Sequence, residues 1–246
     1  MRYVDNEKRE NEILDILVDS YIKESKPISS SYLCQTRHLP YSSATVRNIL
    51  ESLERKGFIF HIHISSGRVP TKKGFKHYVD SLNKKEIIRR GANYDFSEFE
   101  KIDSLSGLFN LAIEKLANIS GYASIMGIKG REEGVFFTGL RFILEQPEFE
   151  DIERMRAFFY ALEVKINEIQ QLLLNNIDEE LKILIGDEIG FEELSHCSLL
   201  VSGIKENNFN IALGVLGPMR MNYIRALVSL YSIKCILEDV LEKRFL

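Results

Sequence analysis

Residues 42–75 have the sequence SSATVRNILESLERKGFIFHIHISSGRVPTKKGF, and the patterns in this stretch point to one small fold. From Val46 onward, apolar side chains recur at the spacing of an amphipathic helix. Ser42 and Ser43 precede this helix and are candidate N-caps, because a hydroxyl can accept a hydrogen bond from a free backbone N–H. Gly57 stands where such a helix commonly ends. The stretch therefore begins with a short helix that has one apolar side.

A β-hairpin is predicted directly after this helix. Residues 58–64 are rich in β-branched and aromatic residues, which favour a strand. Residues 65–68 contain Gly67 and predict a turn, and Val69 begins a brief return strand. Another helix starts after Pro70.

Two more helices are predicted upstream of the stretch. The apolar stripe in residues 14–21 predicts a first helix, with Asp5 or Asn6 as its N-cap. The serines at 29–31 predict the start of a second helix. Three helices followed by a hairpin is the order of a winged helix-turn-helix, and we assign this domain to residues 1–88.

The charge of the chain is divided unevenly. The net charge is −4, yet residues 1–90 carry 17 Lys and Arg against 11 Asp and Glu, and the remainder carries 15 against 25. A basic segment joined to an acidic one is typical of a nucleic-acid module attached to another domain. Chance clustering of solvated charge would give the same balance, so this pattern supports DNA binding only together with the predicted fold.

The side of the third helix opposite its apolar stripe carries groups that can read bases. Arg47 can bind guanine and Asn48 can bind adenine, each with two hydrogen bonds, and Ala44 can contact a thymine methyl. Hydroxyls and free N–H groups at the start of the helix can bind phosphates. The DNA-binding candidates here are Ser42, Ser43, Ala44, Thr45, Arg47, Asn48 and Glu51. An ordinary solvent-exposed helix face is the alternative.

The hairpin and the residues after it supply small residues and cations. A wing that follows a phosphate backbone or enters a minor groove needs both. The candidates are His63, Ser66, Gly67, Arg68, Thr71, Lys72 and Lys73. His61 and His63 also alternate on one strand face and could ligate a metal, but no thiolate or carboxylate pattern completes a set of four ligands. We therefore predict no metal site.

The second half mixes helices and strands after a charged linker predicted at residues 83–96. Helices are predicted around 105–112, over 152–175 and from about 220, and strands at 122–128, 135–137, 181–185, 198–204 and 210–216. This mixture predicts an α+β domain with a largely antiparallel sheet over residues 89–246. Gly214 to Pro218 lacks a phosphate-cradling motif and predicts a turn between a strand and a helix.

Motifs in both halves resemble one known family. In the first half they are Ile28-Ser29-Ser30, Ser43-Ala44-Thr45-Val46-Arg47-Asn48, Leu53-Glu54 and His63-Ile64-Ser65-Ser66-Gly67-Arg68-Val69-Pro70-Thr71. In the second half they are Leu144-Glu145-Gln146-Pro147-Glu148-Phe149, Glu193-Leu194-Ser195 and Gly214-Val215-Leu216-Gly217-Pro218 with Arg220 and Tyr223. Together they cover most of the chain, which resembles the HrcA family of heat-inducible transcription repressors.

The resemblance implies a cytoplasmic bacterial repressor in which a GAF-like domain follows the winged helix. It implies binding of a homodimer to double-stranded DNA at the inverted-repeat operator CIRCE, ahead of the groESL and dnaK chaperone operons. It also implies that the GroEL chaperonin and heat modulate repression. Members usually carry an inserted dimerisation subdomain in the GAF-like domain. Here residues 122–128 run through residues 129–134 into 135–137, so we predict that this subdomain is absent.

Other classes of function find little support in the sequence. No stretch approaches the roughly 18 apolar residues of a membrane span, and the charged start MRYVDNEKRE has no signal-peptide core. Cys34, Cys197 and Cys235 lie far apart, as in a protein of a reducing compartment. Cys197 follows His196 directly, and neighbours on a strand point in opposite directions, so they form no catalytic pair. We predict no catalytic residue and no cofactor. The alternative is a winged-helix regulator gated by a small molecule or a metal.

Overall fold

The protein is described by a computed structural model that covers residues 2–36, 39–63, 66–89, 91, 94, 96–130, 133–178, 180–206 and 209–245. The following predicted positions lie outside these residues: Ile64 of the first strand, Ser65 of the turn, and Arg90, Ala92, Asn93 and Asp95 of the linker. The chain divides into two compact units, residues 1–82 and residues 83–246.

The first unit is a winged helix-turn-helix, as the sequence predicts. Its elements are α1 (Arg2–Glu24), α2 (Ser30–Thr36), α3 (Ser43–Arg55), β1 (Ile59–His61), β2 (Arg68–Pro70) and α4 (Lys72–Ser81). Strands β1 and β2 pair antiparallel, with His61 opposite Arg68. The hairpin at residues 59–70 is the wing of this fold.

Helix α3 forms where the apolar spacing predicts it. Ser42 is its N-cap, and the Ser42 hydroxyl accepts a hydrogen bond from a backbone N–H of the first turn at 3.1 Å. Val46, Leu50 and Leu53 are buried in the core of the unit, where α3 packs on α1 and α2. Gly57 has a φ of 76°, in the left-handed region that favours glycine, so the chain turns away after the helix.

Two boundaries in this unit differ from the sequence prediction. Helix α1 begins at Arg2, so Asp5 and Asn6 lie inside the helix and the prediction that either is its N-cap is wrong. Strand β1 covers Ile59–His61 rather than residues 58–64. Its partner β2 offers only three residues, so the ladder ends with them.

A backbone bridge attaches the wing to the helical part of the unit. Ile28 N donates to the carbonyl of Arg68 at 2.9 Å, and Arg68 N donates to the carbonyl of Ile28 at 2.7 Å. Gly67 lies beside this bridge, where a Cβ would stand 2.6 Å from the backbone of Pro27 and Ile28. Glycine is therefore required here by the close approach of two chain segments.

The second unit contains the remaining helices and strands. They are α5 (Lys84–Arg89), α6 (Leu105–Ser120), β3 (Ala123–Gly130), β4 (Gly134–Thr138), α7 (Leu140–Leu144), α8 (Ile152–Val164), α9 (Ile166–Asn175), β5 (Lys182–Ile185), β6 (Cys197–Glu206), β7 (Phe209–Pro218) and α10 (Tyr223–Arg244). The predicted linker is wrong for residues 84–89, which are helical. Because α5 packs on α10, it belongs to the second unit, and the division of the chain falls before residue 88.

Within the described residues, the strands of the second unit form an antiparallel sheet in the order β4-β3-β7-β6-β5. Helices α6 and α10 cover one face, and α9, with α8 beside it, covers the other. Ala123 and Ile125 on β3 belong to the core on the α8–α9 side, and the residues that alternate with them point to the opposite face. This layering is the GAF-like α+β arrangement that the resemblance implies.

One predicted turn in this unit is wrong. The residues from Gly214 to Pro218 continue strand β7, and α10 begins at Tyr223 after its N-cap Asn222. The strands predicted elsewhere and the helices around 105–112 and 152–175 are confirmed, although Lys165 interrupts the latter between α8 and α9.

Strands β3 and β4 form a tight hairpin. Only residues 131–133 separate Gly130 from Gly134 in the chain. The side-chain amide of Gln170 on α9 donates to the carbonyls of Ile128 at 3.0 Å and Gly134 at 3.2 Å. The inserted dimerisation subdomain expected of the family does not stand between these two strands.

Candidate nucleic-acid interface

Helix α3 exposes the residues predicted to read bases. Ser42, Ser43, Ala44, Arg47, Asn48 and Glu51 are exposed, and Thr45 is half-buried. Arg47 and Asn48 are adjacent and both lie away from the buried stripe, so groups suited to guanine and adenine edges stand side by side. Base reading by a recognition helix would require such an exposed face.

The start of α3 is favourable to a phosphate. The Ser42 hydroxyl caps the helix by accepting a hydrogen bond from Thr45 N, and it lies 2.9 Å from the Thr45 hydroxyl. The first N–H groups of a helix lack carbonyl partners within it, and the helix dipole makes this end positive. Ser43 and Ala44 are exposed at this end, where backbone N–H groups can bind an anion.

His63 and Ser66 stand on either side of the wing tip. The Ser66 hydroxyl donates to the carbonyl of His63 at 2.7 Å, and His63 N donates to the Ser66 hydroxyl at 3.0 Å. The Ser66 hydroxyl is therefore engaged inside the turn, whereas the side chain of His63 is exposed. Of these two candidates, His63 is the better placed to meet a ligand.

Arg68 does not lie at the wing tip as an exposed cation. It begins strand β2, its side chain is only 10% exposed, and its Nε lies 3.6 Å from a carboxylate oxygen of Glu54. Contact with a phosphate would require this side chain to leave its surroundings. Together with Gly67, which is pressed against Ile28, Arg68 belongs to the packed side of the wing, where β2 meets the segment before α2.

Thr71 acts inside the protein as the N-cap of α4. Its hydroxyl accepts a hydrogen bond from Gly74 N at 3.2 Å and donates to the carbonyl of Gly57 at 2.7 Å. These bonds tie the start of α4 to the loop after α3. They account for a hydroxyl at this position without a DNA contact.

Two lysines follow Thr71 at the start of α4. Lys73 Nζ donates to the carbonyl of Lys56 at 2.8 Å and lies 4.3 Å from the ring centroid of Phe58. Lys72 is exposed in the first turn of α4. Both ammonium groups lie on the surface beside the wing, where cations can meet a phosphate backbone.

A cation of α1 lies beside the predicted base-reading residues of α3, and the sequence did not predict this. A groove of about 290 Å³ has Asn6, Arg9, Thr45 and Asn48 in its walls. Arg9 lies with its guanidinium carbon 5.8 Å from the ring centroid of Tyr41. Arg9 is one of several charged residues along α1, and only the packing of α1 on α3 distinguishes it. The sequence carried no local signal for this cation.

Glu10 fastens α1 to α3. Its carboxylate accepts hydrogen bonds from the Ser52 hydroxyl at 2.6 Å and from the Lys56 ammonium. Burial raises the pKa of the Glu10 carboxyl, but the hydrogen bonds from Lys56 and Ser52 outweigh this effect and leave the pKa lowered. The ionised carboxylate therefore helps to hold α3, the helix that carries the predicted base-reading residues.

In the second unit, two of the motifs that carry the resemblance meet in space. Arg220 Nε lies 2.5 Å from a carboxylate oxygen of Glu148, and Arg220 Nη2 donates to the side chain of Gln146 at 3.2 Å. Asn222 N donates to the hydroxyl of Tyr122 at 2.7 Å. These contacts join the segment after α7 to the end of β7, which gives both motifs a structural role.

The second unit offers no nucleophile at Cys197. This residue is buried, and burial raises the pKa of its thiol to about 12, so the reactive thiolate is not formed at neutral pH. Among the described residues, no three His, Cys, Asp or Glu side chains are grouped to hold a metal ion. No helix in the described part of the chain is long and apolar enough to cross a membrane.

Comparison with known proteins identifies the family. Residues 75–227 match the family model described as the HrcA protein C-terminal domain. The chain belongs to the HrcA family. The match runs from α4 into α10 and so includes most of the second unit.

HrcA repressors from two bacteria align with nearly the whole chain. The heat-inducible transcription repressor HrcA of Oceanobacillus iheyensis is 25% identical over 330 residues, covering 94% of this chain and 96% of the relative. That of Bacillus pumilus is 24% identical, covering 95% and 97%. Because 330 aligned positions exceed the 246 residues of this chain, the relative carries segments that this chain lacks. These relatives are transcription regulators rather than enzymes.

A solved structure shares the fold. The chain of a hypothetical protein determined at 2.2 Å resolution superposes with a TM-score of 0.77 at 18% identity, covering 94% of this chain and 97% of the other. The HrcA chain described here therefore has an architecture already seen by experiment.

Proposed function

We propose that this HrcA protein represses chaperone operons of the groESL and dnaK regions by binding the CIRCE inverted repeat as a homodimer. The observation that carries the proposal is the exposed pair Arg47 and Asn48 on α3, close to the exposed N-terminus of that helix. In the proposed complex, α3 enters the major groove, where Arg47 reads guanine and Asn48 reads adenine. The bound dimer represses by blocking access to the promoter.

Phosphate contacts fix the position of α3 in this proposal. The backbone N–H groups at Ser43 and Ala44 face one strand, and His63 and Lys72 are exposed at the wing and beside it. Such contacts supply affinity for any duplex, whereas Arg47 and Asn48 supply sequence preference. We assign DNA binding to the first unit, residues 1–82.

Dimerisation follows from the symmetry of the operator. An inverted repeat presents two equivalent half-sites, which a two-fold dimer matches with two copies of α3 spaced by about one helical turn of DNA or a multiple of it. We assign dimerisation and regulation to the second unit, residues 83–246. Because β3 and β4 are joined by residues 131–133 alone, the dimer surface is sought on the sheet, its covering helices or α10.

We further propose that the GroEL chaperonin and heat modulate repression, and that the protein acts in the cytoplasm. The test is a gel shift with the inverted repeat and a scrambled duplex, with and without GroEL, over a temperature series. We expect specific binding that GroEL preserves against warming. Equal affinity for both duplexes at every salt concentration would remove the proposed function.

Gating by a small molecule is the alternative, and one groove bears on it. A cavity of about 550 Å³ has side chains of α6, β4 and α7 in its walls. There the side chain of Arg141 donates to that of Asn118 at 2.7 Å, so these two groups are engaged with each other. Titration with metabolites and metals during the gel shift separates the cases. A large shift with a small effector and none with GroEL would favour the alternative.

A further inference from the structure

We infer that Glu54 is a positioning residue that fixes the wing against the recognition helix through His61 and Arg68. DNA affinity then depends on a carboxylate that supplies no positive charge of its own. The inference rests on the proposed DNA binding by α3 and the wing, and it assigns a role to a residue that the base-reading pattern leaves unused.

Glu54 lies in the last turn of α3, and each of its carboxylate oxygens faces a different strand of the wing. Oε1 lies 2.7 Å from Nδ1 of His61 on β1, and Oε2 lies 3.6 Å from Nε of Arg68 on β2. A carboxylate only accepts hydrogen bonds, so Nδ1 of His61 carries the proton. One side chain of the recognition helix therefore contacts both strands.

The two contacted residues form one rung of the hairpin. His61 and Arg68 are direct partners in the β1–β2 register, at the end of the ladder that leads to the tip. Contacts to both partners of one rung oppose both twisting and sliding of the hairpin relative to α3. Glu54 therefore sets the direction in which the described residues beyond this rung project, namely Ile62, His63, Ser66 and Gly67.

The wing needs such an anchor because its own pairing is short. Each strand has three residues, and an isolated two-stranded hairpin is at best marginally stable in water. Among the described residues, the backbone bridge between Ile28 and Arg68 fastens the β2 side. Glu54 adds a contact to β1 and a charged contact to β2.

The charge of Arg68 makes the carboxylate difficult to replace. Its side chain is nine-tenths buried, and its Nε makes no hydrogen bond to the described residues, so Glu54 is the carboxylate within ion-pair distance of this cation. Removing one partner of a buried ion pair leaves an uncompensated charge that favours exposure to water. In Glu54→Gln, Arg68 is expected to move outward and to shift the wing with it.

The test compares Glu54→Gln with Glu7→Gln, a change of the same charge at an exposed position of α1. Full-length proteins are titrated with the inverted repeat and a scrambled duplex over a salt series. For Glu54→Gln we expect roughly tenfold weaker binding to both duplexes and a slope of log K against log salt smaller by about one, as one phosphate contact is lost. The ratio of the two affinities stays at its wild-type value, because α3 still reads bases. Glu7→Gln should match wild type.

Hydrogen exchange without DNA keeps the inference testable if the variant loses stability. Amides in residues 59–61, 68 and 69 should exchange faster in Glu54→Gln, while those in the middle of α3 stay protected. The pair Glu54→Gln with Arg68→Met should bind no more weakly than Arg68→Met alone, because the cation that needs the charge of Glu54 is gone and a glutamine oxygen can still accept from Nδ1 of His61.

The outcomes separate two failures. If wild type shows no preference for the inverted repeat, the proposed function fails whatever the variants do. If wild type binds specifically and Glu54→Gln keeps its affinity, salt slope and exchange rates, the positioning role is wrong. The positioning role would also be contradicted if the fold-loss of DNA affinity in the double variant equalled the product of the losses in the two single variants.

Discussion

The hydroxyl of Ser81 on α4 lies 3.1 Å from both carboxylate oxygens of Asp15 on α1, and this contact ties the helix after the wing to the first helix of the unit. Burial raises the pKa of the Asp15 carboxyl, and the hydrogen bond from Ser81 only partly offsets this effect. Burial in the folded protein therefore disfavours the ionised form of Asp15, although the contact with Ser81 favours it.

Asp15→Asn should stabilise the protein at neutral pH. An asparagine oxygen can still accept from Ser81, and no charge is buried. Because the folded-state pKa lies above the ordinary value, the stability contributed by Asp15 is fully present below the ordinary pKa and is lost as pH rises through the folded-state pKa. Urea unfolding should show the variant more stable than wild type at about pH 7, and this advantage should vanish at about pH 3.

Asp80→Asn provides the control. Asp80 is exposed on α4, and its carboxylate lies 4.0 Å from the ammonium group of Lys76. This variant should change the free energy of unfolding little at either pH. An equal gain in the two variants would show that net charge, and not the burial of Asp15, is responsible.

Arg47→Ala should weaken binding to the operator by about 1–3 kcal/mol and relax the preference for one base pair. The side chain is exposed on α3, so folding should be unaffected. Competition with single-base operator variants measures the change. Equal weakening on random DNA would instead make Arg47 a phosphate contact. Arg156→Ala, which removes an exposed cation from α8, is the matched control.

Lys72→Ala should weaken binding to all sequences alike and reduce the salt slope by about one. Lys72 is exposed in the first turn of α4, beside the wing. Fluorescence titrations at several salt concentrations give the slope directly. An unchanged slope would remove the start of α4 from the path of the phosphates.

Arg220→Met should cost about 3–5 kcal/mol of stability, because it leaves the carboxylate of Glu148 without its partner in a largely buried place. The side chains of Arg220 and Glu148 are 10% and 21% exposed. Chemical denaturation of the full chain measures the loss. Adding Glu148→Gln should recover much of it, whereas a further loss of similar size would mean that the two side chains act independently.

Local patterns predicted most of the elements and the exposed residues of α3. Val46 and Leu50 are buried where helical spacing puts them, and the strands of the second unit follow runs of β-formers. Gly217 and Pro218 misled the prediction of a turn over residues 214–218, because glycine followed by proline is typical of turns. Here Gly214 stands in a strand, where a Cβ would lie 3.1 Å from the side chain of Leu173 and 3.2 Å from that of Leu199. Crowding by other elements is not visible in a local pattern.

The wing shows where sequence reasoning about the site ended. Glycine and arginine beside a turn predict a wing that meets DNA through small residues and cations, but the environment of Arg68 is made by Glu54 from α3 and by Ile28 from the segment before α2. Arg9 lies beside the predicted base-reading residues of α3 for the same reason, because α1 packs on α3. Both are tertiary effects between segments well separated in the chain.

The brevity of β1 and β2 has a thermal consequence. Structure opens locally where few backbone hydrogen bonds and little buried surface hold it, at a free energy well below that of global unfolding. Two strands of three residues each are therefore expected to fray on warming while the helices around them stay intact. Opening confined to the wing is therefore expected below the temperature at which the helices unfold, and it should reverse on cooling.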